Sequence, residues 1–489
     1  MSEKLFLKGI ALLAAICLAL PLAACGDKPT SSEPETAVSE EASGVEAVQS
    51  EDTVQSEKTV QSEKNEQGNK NESKTSKSSQ TVSAPAPTKI DDSKPKTSLT
   101  RDEVMAKMPA NLKGTTVKYM YWWNPKEQME KDAIAAFEKA TGIKVQPVVA
   151  SYEEFTTQLT AKIAAGDAPD IVRLLGNSTE RTSALQPITN SGFDFNDTAW
   201  DSQVMKDYTF NGNCYAVNLK NSAIMDYAVI YYNKNALKNA EMEDPYKIWK
   251  KNPSDWTWTK FWNMCDEFIK ANNNRSGYYG ATFEYSEAYV RALGGYGFTY
   301  DSAKGKYVSG ISAKATEVGW QRTLDAISKK WLVSSHDVTA FDNGKILFYW
   351  SGPYSARTAD NRQKALKESG ALGVVPIPTD SKNQTLYEYT AFGIPEGAKN
   401  AAAAPYYLRY VLDQKSYNMN KVWFSAEAKE VMDHAAASDK IWYGHSYIPS
   451  LESNLKSGGS AQVQSVLSQF KNVVDAMVKQ ENERISYYD

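Results

Sequence analysis

Apolar residues along this chain come in two rhythms, and the change from one to the other marks the first elements. The stretch 116–122 reads as a strand. Beyond it Met129, Ala133, Phe137 and Ala140 recur at three and four residues, one face of a helix that Gly142 ends. Residues 143–149 return to strand. Phe155, Leu159 and Ile163 then mark a second helical face that closes at Gly166. Ala168-Pro169-Asp170 breaks the chain, and 171–175 is a short, mostly apolar run, interrupted only by Arg173, that fits a buried strand. Strand, helix, strand, helix, strand predicts a parallel sheet with helical crossovers.

Later segments repeat this grammar. "GNCYAVNL" and "AIMDYAVIYYNKNAL" read as strands entering a short helix. "DWTWTKFWNMCDEFIKANN" reads as a helix capped by Thr257 that buries Phe261, Cys265 and Phe268. "KILFYWSGPY" and "ALGVVPIP" are strand-like, whereas "AAAAPYYLRYVLD" and "VQSVLSQFKNVVDAMVKQ" are helical. The class is α/β, and the roughly 375 residues from Lys113 onward suit two lobes with separate cores.

The start of the chain is built differently. Lys4 and Lys8 precede an apolar run from Ile10 to Leu22, too short to span a bilayer comfortably, so 1–24 reads as a secretion signal. It ends in Leu22-Ala23-Ala24-Cys25-Gly26, which resembles a bacterial lipobox. Cleavage there would leave the Cys25 thiol for diacylglycerol and tether the mature chain to the outer face of the cytoplasmic membrane. An ordinary signal whose cleavage site happens to precede a Cys is the alternative. From Gly26 to Leu112 the chain is polar and free of aromatic residues, which predicts a disordered tether reaching about 50 Å.

The composition then narrows the chemistry. A formal charge of -4 on 489 residues gives no reason to expect a nucleic-acid partner. Once the signal and Cys25 are set aside, Cys214 and Cys265 remain; Cys265 reads as a small buried hydrophobe, and a bridge between the two in an oxidising exterior is the alternative. His336, His434 and His445 are scattered without a metal-binding spacing, and neither a Gly-x-Ser-x-Gly turn nor a phosphate loop occurs. No metal, cofactor or catalytic residue is therefore expected. Carboxylates such as Glu153, Asp226 and Glu284 leave a glycoside hydrolase as the runner-up.

Six motifs, in this order, carry a family resemblance: "FEKATGIKV", "LTAKIAAGDAPDIV", "FNGNCYAV" with "YYNKNAL", "DWTWTKF", "FDNGKILFYWSGPY" and "FGIPEGAKNAAAAPYYLRYVLD". The chain from 113 to 489 resembles the extracellular solute-binding proteins of family one, the sugar-binding components of ABC importers that include maltose-binding protein. The resemblance implies a periplasmic-binding-protein-like fold of type II, two α/β lobes joined by a hinge that the chain crosses several times. It assigns 113–223 plus 391–440 to lobe 1 and 224–390 plus 441–489 to lobe 2. Ligand would bind between the lobes at the carboxyl ends of the strands. The implied partners are a carbohydrate and the membrane subunits of a permease, the receptor itself being a monomer and not an enzyme. Lipobox, tether and domain together match the family's build on Gram-positive cells. An adhesive lipoprotein or a sensory receptor are further alternatives.

The expected ligand residues sit at strand ends. Adjacent strand residues face opposite ways, so of Trp122 and Trp123 one can pack into the sheet while the other lines the cleft, where an indole stacks on the C–H face of a sugar. Asp226 matches a cleft carboxylate of maltose-binding protein; a solvated hinge acid is the alternative. Asn177 occupies a ligand-loop position where that protein has an acid, or else forms a turn. Glu284 and Tyr285 match a second-lobe contact segment, and Tyr354 follows Gly352-Pro353 as the family's stacking aromatic does. Trp350 is read as either ligand or core. Trp256, Trp258 and Trp262 read as packing, Asp170 as a turn residue, and Glu153, Tyr389 and His445 as lesser cleft candidates.

Overall fold

The computed structural model describes residues 90–487 except 92, 122–126, 152–153, 176–183, 189–192, 221–224, 285–286, 302, 359–360, 381–383, 413–421 and 443–448. Within helices and strands the side chains of 127–130, 175, 225–226, 388–389, 440, 442, 449 and 487 are likewise left undescribed.

The early elements fall where the apolar rhythm places them. Strand Thr116–Tyr121 is followed by helix Glu127–Thr141, strand Lys144–Val149, helix Phe155–Ala164 and strand Ile171–Leu175. Gly142 has φ +74°, the left-handed position that stops a helix and that a side chain would strain. Thr116–Tyr121 runs parallel to both of its neighbours, pairing Tyr121 with Val149 and Tyr119 with Ile171. The expected parallel crossovers are therefore present, and the carboxyl ends of the three strands share one edge.

A long strand, Gln384–Pro395, carries the chain past that edge. It is antiparallel to Ile171–Leu175, with Thr390 opposite Leu175, so the residues before Thr390 project beyond the sheet. There they pair with Met225–Tyr227, Tyr387 opposite Tyr227, and with Asp439–Trp442. Only Ala228 separates Met225–Tyr227 from Val229–Asn233, a strand of the second sheet. Its amide donates to the Leu386 carbonyl at 2.8 Å.

The second sheet has the order Tyr279–Phe283, Ile346–Ser351, Val229–Asn233, Leu372–Pro376. It is mixed: Phe283 lies parallel beside Trp350, whereas Val229–Asn233 runs opposite to both of its neighbours. Ser351 and Pro376 both pair with Val229, so the carboxyl ends of three strands again share an edge, at the point where the chain enters from the crossing strands. The two carboxyl edges thus stand at either end of one short pair of crossing strands.

The cores follow the sheets. Helix Trp258–Ala271, with Thr257 Oγ1 accepting the Lys260 amide at 3.1 Å, buries Phe261, Cys265 and Phe268 as its spacing predicts. Trp256, Trp258 and Trp262 join them. Cys214 and Cys265 are free and lie in different clusters.

Two boundaries move. The tether was expected to run to Leu112, yet Arg101–Ala106 is a helix, and Val104 and Leu112 are buried beside Tyr406 and Tyr407. Free of aromatic residues of its own, this segment packs on rings supplied by another part of the chain. Helix Ala426–Ala437, expected in lobe 1, buries Ala428, Val431 and Met432 in the core of the second sheet. The terminal helices Pro449–Gly458 and Val463–Tyr487, expected with lobe 2, do pack on Tyr307, Trp320 and Leu324, with Asn482 bonded to both the amide and the carbonyl of Tyr307, and they share that cluster with Phe155, Leu159 and Tyr215 of the first sheet's layers. Sequence order cannot assign such a helix, because its apolar stripe fits either face.

Candidate functional site

The edge of the second sheet is the best described part of the site. Alternation along Ile346–Ser351 sends Phe348 and Trp350 to one face and Tyr349 and Ser351 to the other. Trp350 is 3% exposed, with Trp258 stacked at 5.3 Å and Phe283 edge-on at 4.9 Å. Of its two expected roles the structure places it in the core: its face of the strand is covered by helix Trp258–Ala271.

Ser351, on the opposite face, reaches Glu284. Its hydroxyl donates to Glu284 Oε2, while the Glu284 amide donates to the Trp350 carbonyl at 3.0 Å. Glu284 is half-buried at the end of Tyr279–Phe283, its carboxylate held by a neighbouring strand. Tyr349 lies nearby under His336, ring centroids 5.5 Å apart, and burial together with the Glu284 charge pushes its phenol well above the usual tyrosine range.

The turn after Ile346–Ser351 is pinned from beneath. Tyr231 donates its hydroxyl to the Gly352 carbonyl at 2.9 Å and accepts the Ala356 amide at 3.1 Å. Gly352 allows the ring of Tyr354 to lie against the backbone, since a Cβ there would come within 2.7 Å of it. Tyr354 is half-buried, and the guanidinium of Arg362 lies 4.3 Å from its ring centroid. The expected stacking ring is therefore already engaged by a cation.

The crossing strands are fastened on the side of the first sheet. Tyr387 donates to Asp207 Oδ2 at 2.8 Å, and Gln203 Nε2 holds both oxygens of Asp207 at 3.0 Å. Asn218 Nδ2 donates to the Thr390 carbonyl at 2.7 Å. Burial first, and Asp207 second, raise the Tyr387 phenol far above its ordinary value. Leu386, one residue earlier, belongs to the core of the second sheet, so adjacent residues of this strand are held by different layers.

Asp170, read as a turn residue rather than a ligand, joins distant parts of the chain. Buried at the start of Ile171–Leu175, it accepts the Lys118 amide at 2.9 Å and the Asn400 amide at 2.6 Å. Trp122, Trp123, Asn177, Tyr285, Glu153, His445 and Cys25 lie outside the described residues, and the side chains of Asp226 and Tyr389 do as well. In sequence, Trp122 directly follows Tyr121 and Tyr285 directly follows Glu284. Asp226 has its backbone on the crossing strand, opposite Glu388. Ser351, Tyr231 and Arg362 were not singled out from sequence. Period-two alternation from Trp350 would have found Ser351, whereas Arg362 meets Tyr354 only through the fold.

Among the described residues no group of three or more His, Cys, Asp or Glu is placed to hold a metal, and no helix is long and apolar enough to cross a membrane. Three solved structures share the fold at 16% identity. An ABC substrate-binding protein from Listeria monocytogenes in complex with cycloalternan has a TM-score of 0.56 over 75% of this chain and 99% of its own. The GacH receptor of Streptomyces glaucescens, solved unliganded and with acarbose, scores 0.54 over 75% and 98%. Maltose-bound MalE3 of T. maritima scores 0.53 over 74% and 100%. A galactooligosaccharide-binding protein from Bacillus subtilis (strain 168) is 28% identical over 171 residues, 33% of this chain. The chain spans 39% of that relative's length. The family model of bacterial extracellular solute-binding proteins matches residues 132–426, more than half of the sequence, and the chain belongs to that family.

Proposed function

We propose that this protein is the receptor of an ABC importer, binding an oligosaccharide in the gap between its two carboxyl edges and delivering it to a permease. The observation that carries the reading is topological: both sets of carboxyl strand ends flank one pair of crossing strands. Ligands of open α/β sheets bind outside such ends. The sugar class is supported by the names of the curated relative and of the structural neighbours, which bind galactooligosaccharide, cycloalternan, acarbose and maltose.

In this reading Trp122 or Trp123 at the first edge and Tyr285 or Tyr354 at the second grip the sugar rings. Asn177, Asp226 and Glu284 take hydroxyls, a carboxylate accepting two with charge-assisted bonds. Trp350 backs the second edge from within the core. Contacts from both edges are required, because a ligand shifts an open–closed equilibrium only by its difference in affinity for the two states. Cys25 carries a lipid that holds the receptor on the outer face of the membrane, and the protein acts as a monomer without cofactor.

Titration of the mature chain with a panel of mono- and oligosaccharides tests this. A bound oligosaccharide raises the melting temperature by mass action, compacts the protein in small-angle scattering, and is recovered intact by chromatography after overnight incubation. Shortened products would favour the glycoside hydrolase. Tight binding without compaction would remove the clamp.

A further inference from the structure

The segment ahead of the first strand is built into the domain by charged groups, and nothing in the proposed binding role accounts for it. Thr97 forms a parallel bridge to Asp197: its amide donates to the Asn196 carbonyl at 2.9 Å, its carbonyl accepts the Thr198 amide at 2.8 Å, and its hydroxyl donates to Asp194 at 2.8 Å. Helix Arg101–Ala106 begins in a reciprocal capping box, with Thr100 Oγ1 accepting the Glu103 amide at 3.3 Å and Glu103 accepting the Thr100 amide at 2.7 Å. Ile90, Leu99, Met105 and Met108 pack beside Val104 on the cluster that holds Tyr406 and Tyr407.

A buried ion pair lies beneath it. Arg409 and Asp197 are 3.6 Å apart, with side chains only 3% and 2% exposed. Two charges that far from water need hydrogen bonds beyond each other. The segment supplies them: Arg409 Nη2 donates to the Leu99 carbonyl at 2.6 Å, and Asp197 Oδ1 accepts the Leu99 amide at 3.4 Å. The matched family region begins only at residue 132, so this piece lies outside it.

We propose that residues 97–112 are a strap that takes up tension arriving along the N-terminal tether and keeps it off strand Thr116–Tyr121. Without the strap, a pull on the tether would enter at Lys113 and peel that central strand, whose carboxyl end borders the ligand gap. With it, the pull enters at Thr97 and is held in shear by the bridge to 196–198 and by the Arg409–Asp197 pair. The need for such a device rests on the proposed anchoring at Cys25; the mechanical property itself does not.

Single-molecule pulling on the unlipidated full mature chain tests it, with one handle on the Cys25 thiol and the other at the C-terminus, no ligand present. Three chains are compared: the wild type, T97P, and a chain lacking 97–112. T97P removes the Thr97 amide and hydroxyl that donate to Asn196 and Asp194 but leaves the Arg409–Asp197 pair and every ligand candidate in place. At constant force its strap should release roughly tenfold faster, two hydrogen bonds contributing about that factor. Deletion of 97–112 should make release of Thr116–Tyr121 the first event and shorten its lifetime at least as much. Equal lifetimes in wild type and T97P would overturn the strap, and should the deletion fail to fold, that comparison still decides. If Cys25 carries no lipid by mass spectrometry while the lifetimes differ, the anchoring reading fails and the strap stands.

Discussion

Replacing Asp170 by alanine leaves the ligand residues untouched but removes the link between the first sheet's two central strands and the loop before helix Ala404–Leu412. In the wild type one carboxylate oxygen accepts the Lys118 amide at 2.9 Å and the other the Asn400 amide at 2.6 Å. Asn400 in turn donates its side-chain amide to the Thr116 carbonyl at 2.8 Å. Hydrogen bonds to a charged acceptor contribute about 1.5–3 kcal/mol each, and an orphaned buried donor costs about 1–3 kcal/mol. Two of them set a ceiling of about 6 kcal/mol. Lys118 and Asn400 are only half-buried, so water reaches part of the vacated site and the expected loss is about 2–4 kcal/mol. Urea unfolding followed by tryptophan fluorescence measures it as a lower midpoint. Asp170→Asn should recover less than half, because its amide group turns a donor toward one of the two N–H groups. A loss under about 0.5 kcal/mol for alanine would refute the reasoning.

Other outcomes follow from the same geometry. Trp350→Ala should cost about 3–5 kcal/mol of stability as a core cavity, whereas Tyr354→Ala should leave the midpoint nearly unchanged and weaken oligosaccharide affinity up to about tenfold; calorimetric titration beside urea unfolding separates the two. Gly280→Ala would place a Cβ 2.2 Å from that of Cys265, so it should destabilise by about 1–3 kcal/mol, and Cys265→Ala should not rescue it, since the clash is with a Cβ that alanine retains. His434 sits half-buried with its ring edge-on to Trp249 at 5.1 Å, and desolvation lowers its pKa from an ordinary value of about 6.5. The unfolded chain therefore binds the proton more readily, so this contribution is present above about pH 6.5 and is lost as pH falls toward the lowered folded value. His434→Asn should flatten that part of the stability profile.

Legibility differed between elements for physical reasons. The helix faces of Phe137 and of Phe155, Leu159 and Ile163, the strand 171–175, and the cap at Thr257 were readable because each signal is local: a period, a cap, a breaker. The same holds for the tryptophans at 256, 258 and 262, whose crowding at an amphipathic helix start already meant packing. The family could be read as well, from motifs whose order survives where identity does not.

Tertiary structure alone decided which layer each piece joins. Helix Ala426–Ala437 went to the second core and the terminal helices to a shared one, because an apolar stripe specifies that a face is buried but not against what. Trp350 went inward for want of free surface on its side of the strand, and Arg362 came over Tyr354 through a turn that no local pattern marks. Residues 97–112 show the limit most clearly. Without an aromatic residue they read as the end of a disordered tether, yet a buried arginine more than 300 positions later needs the Leu99 carbonyl, and only the folded chain brings the two together.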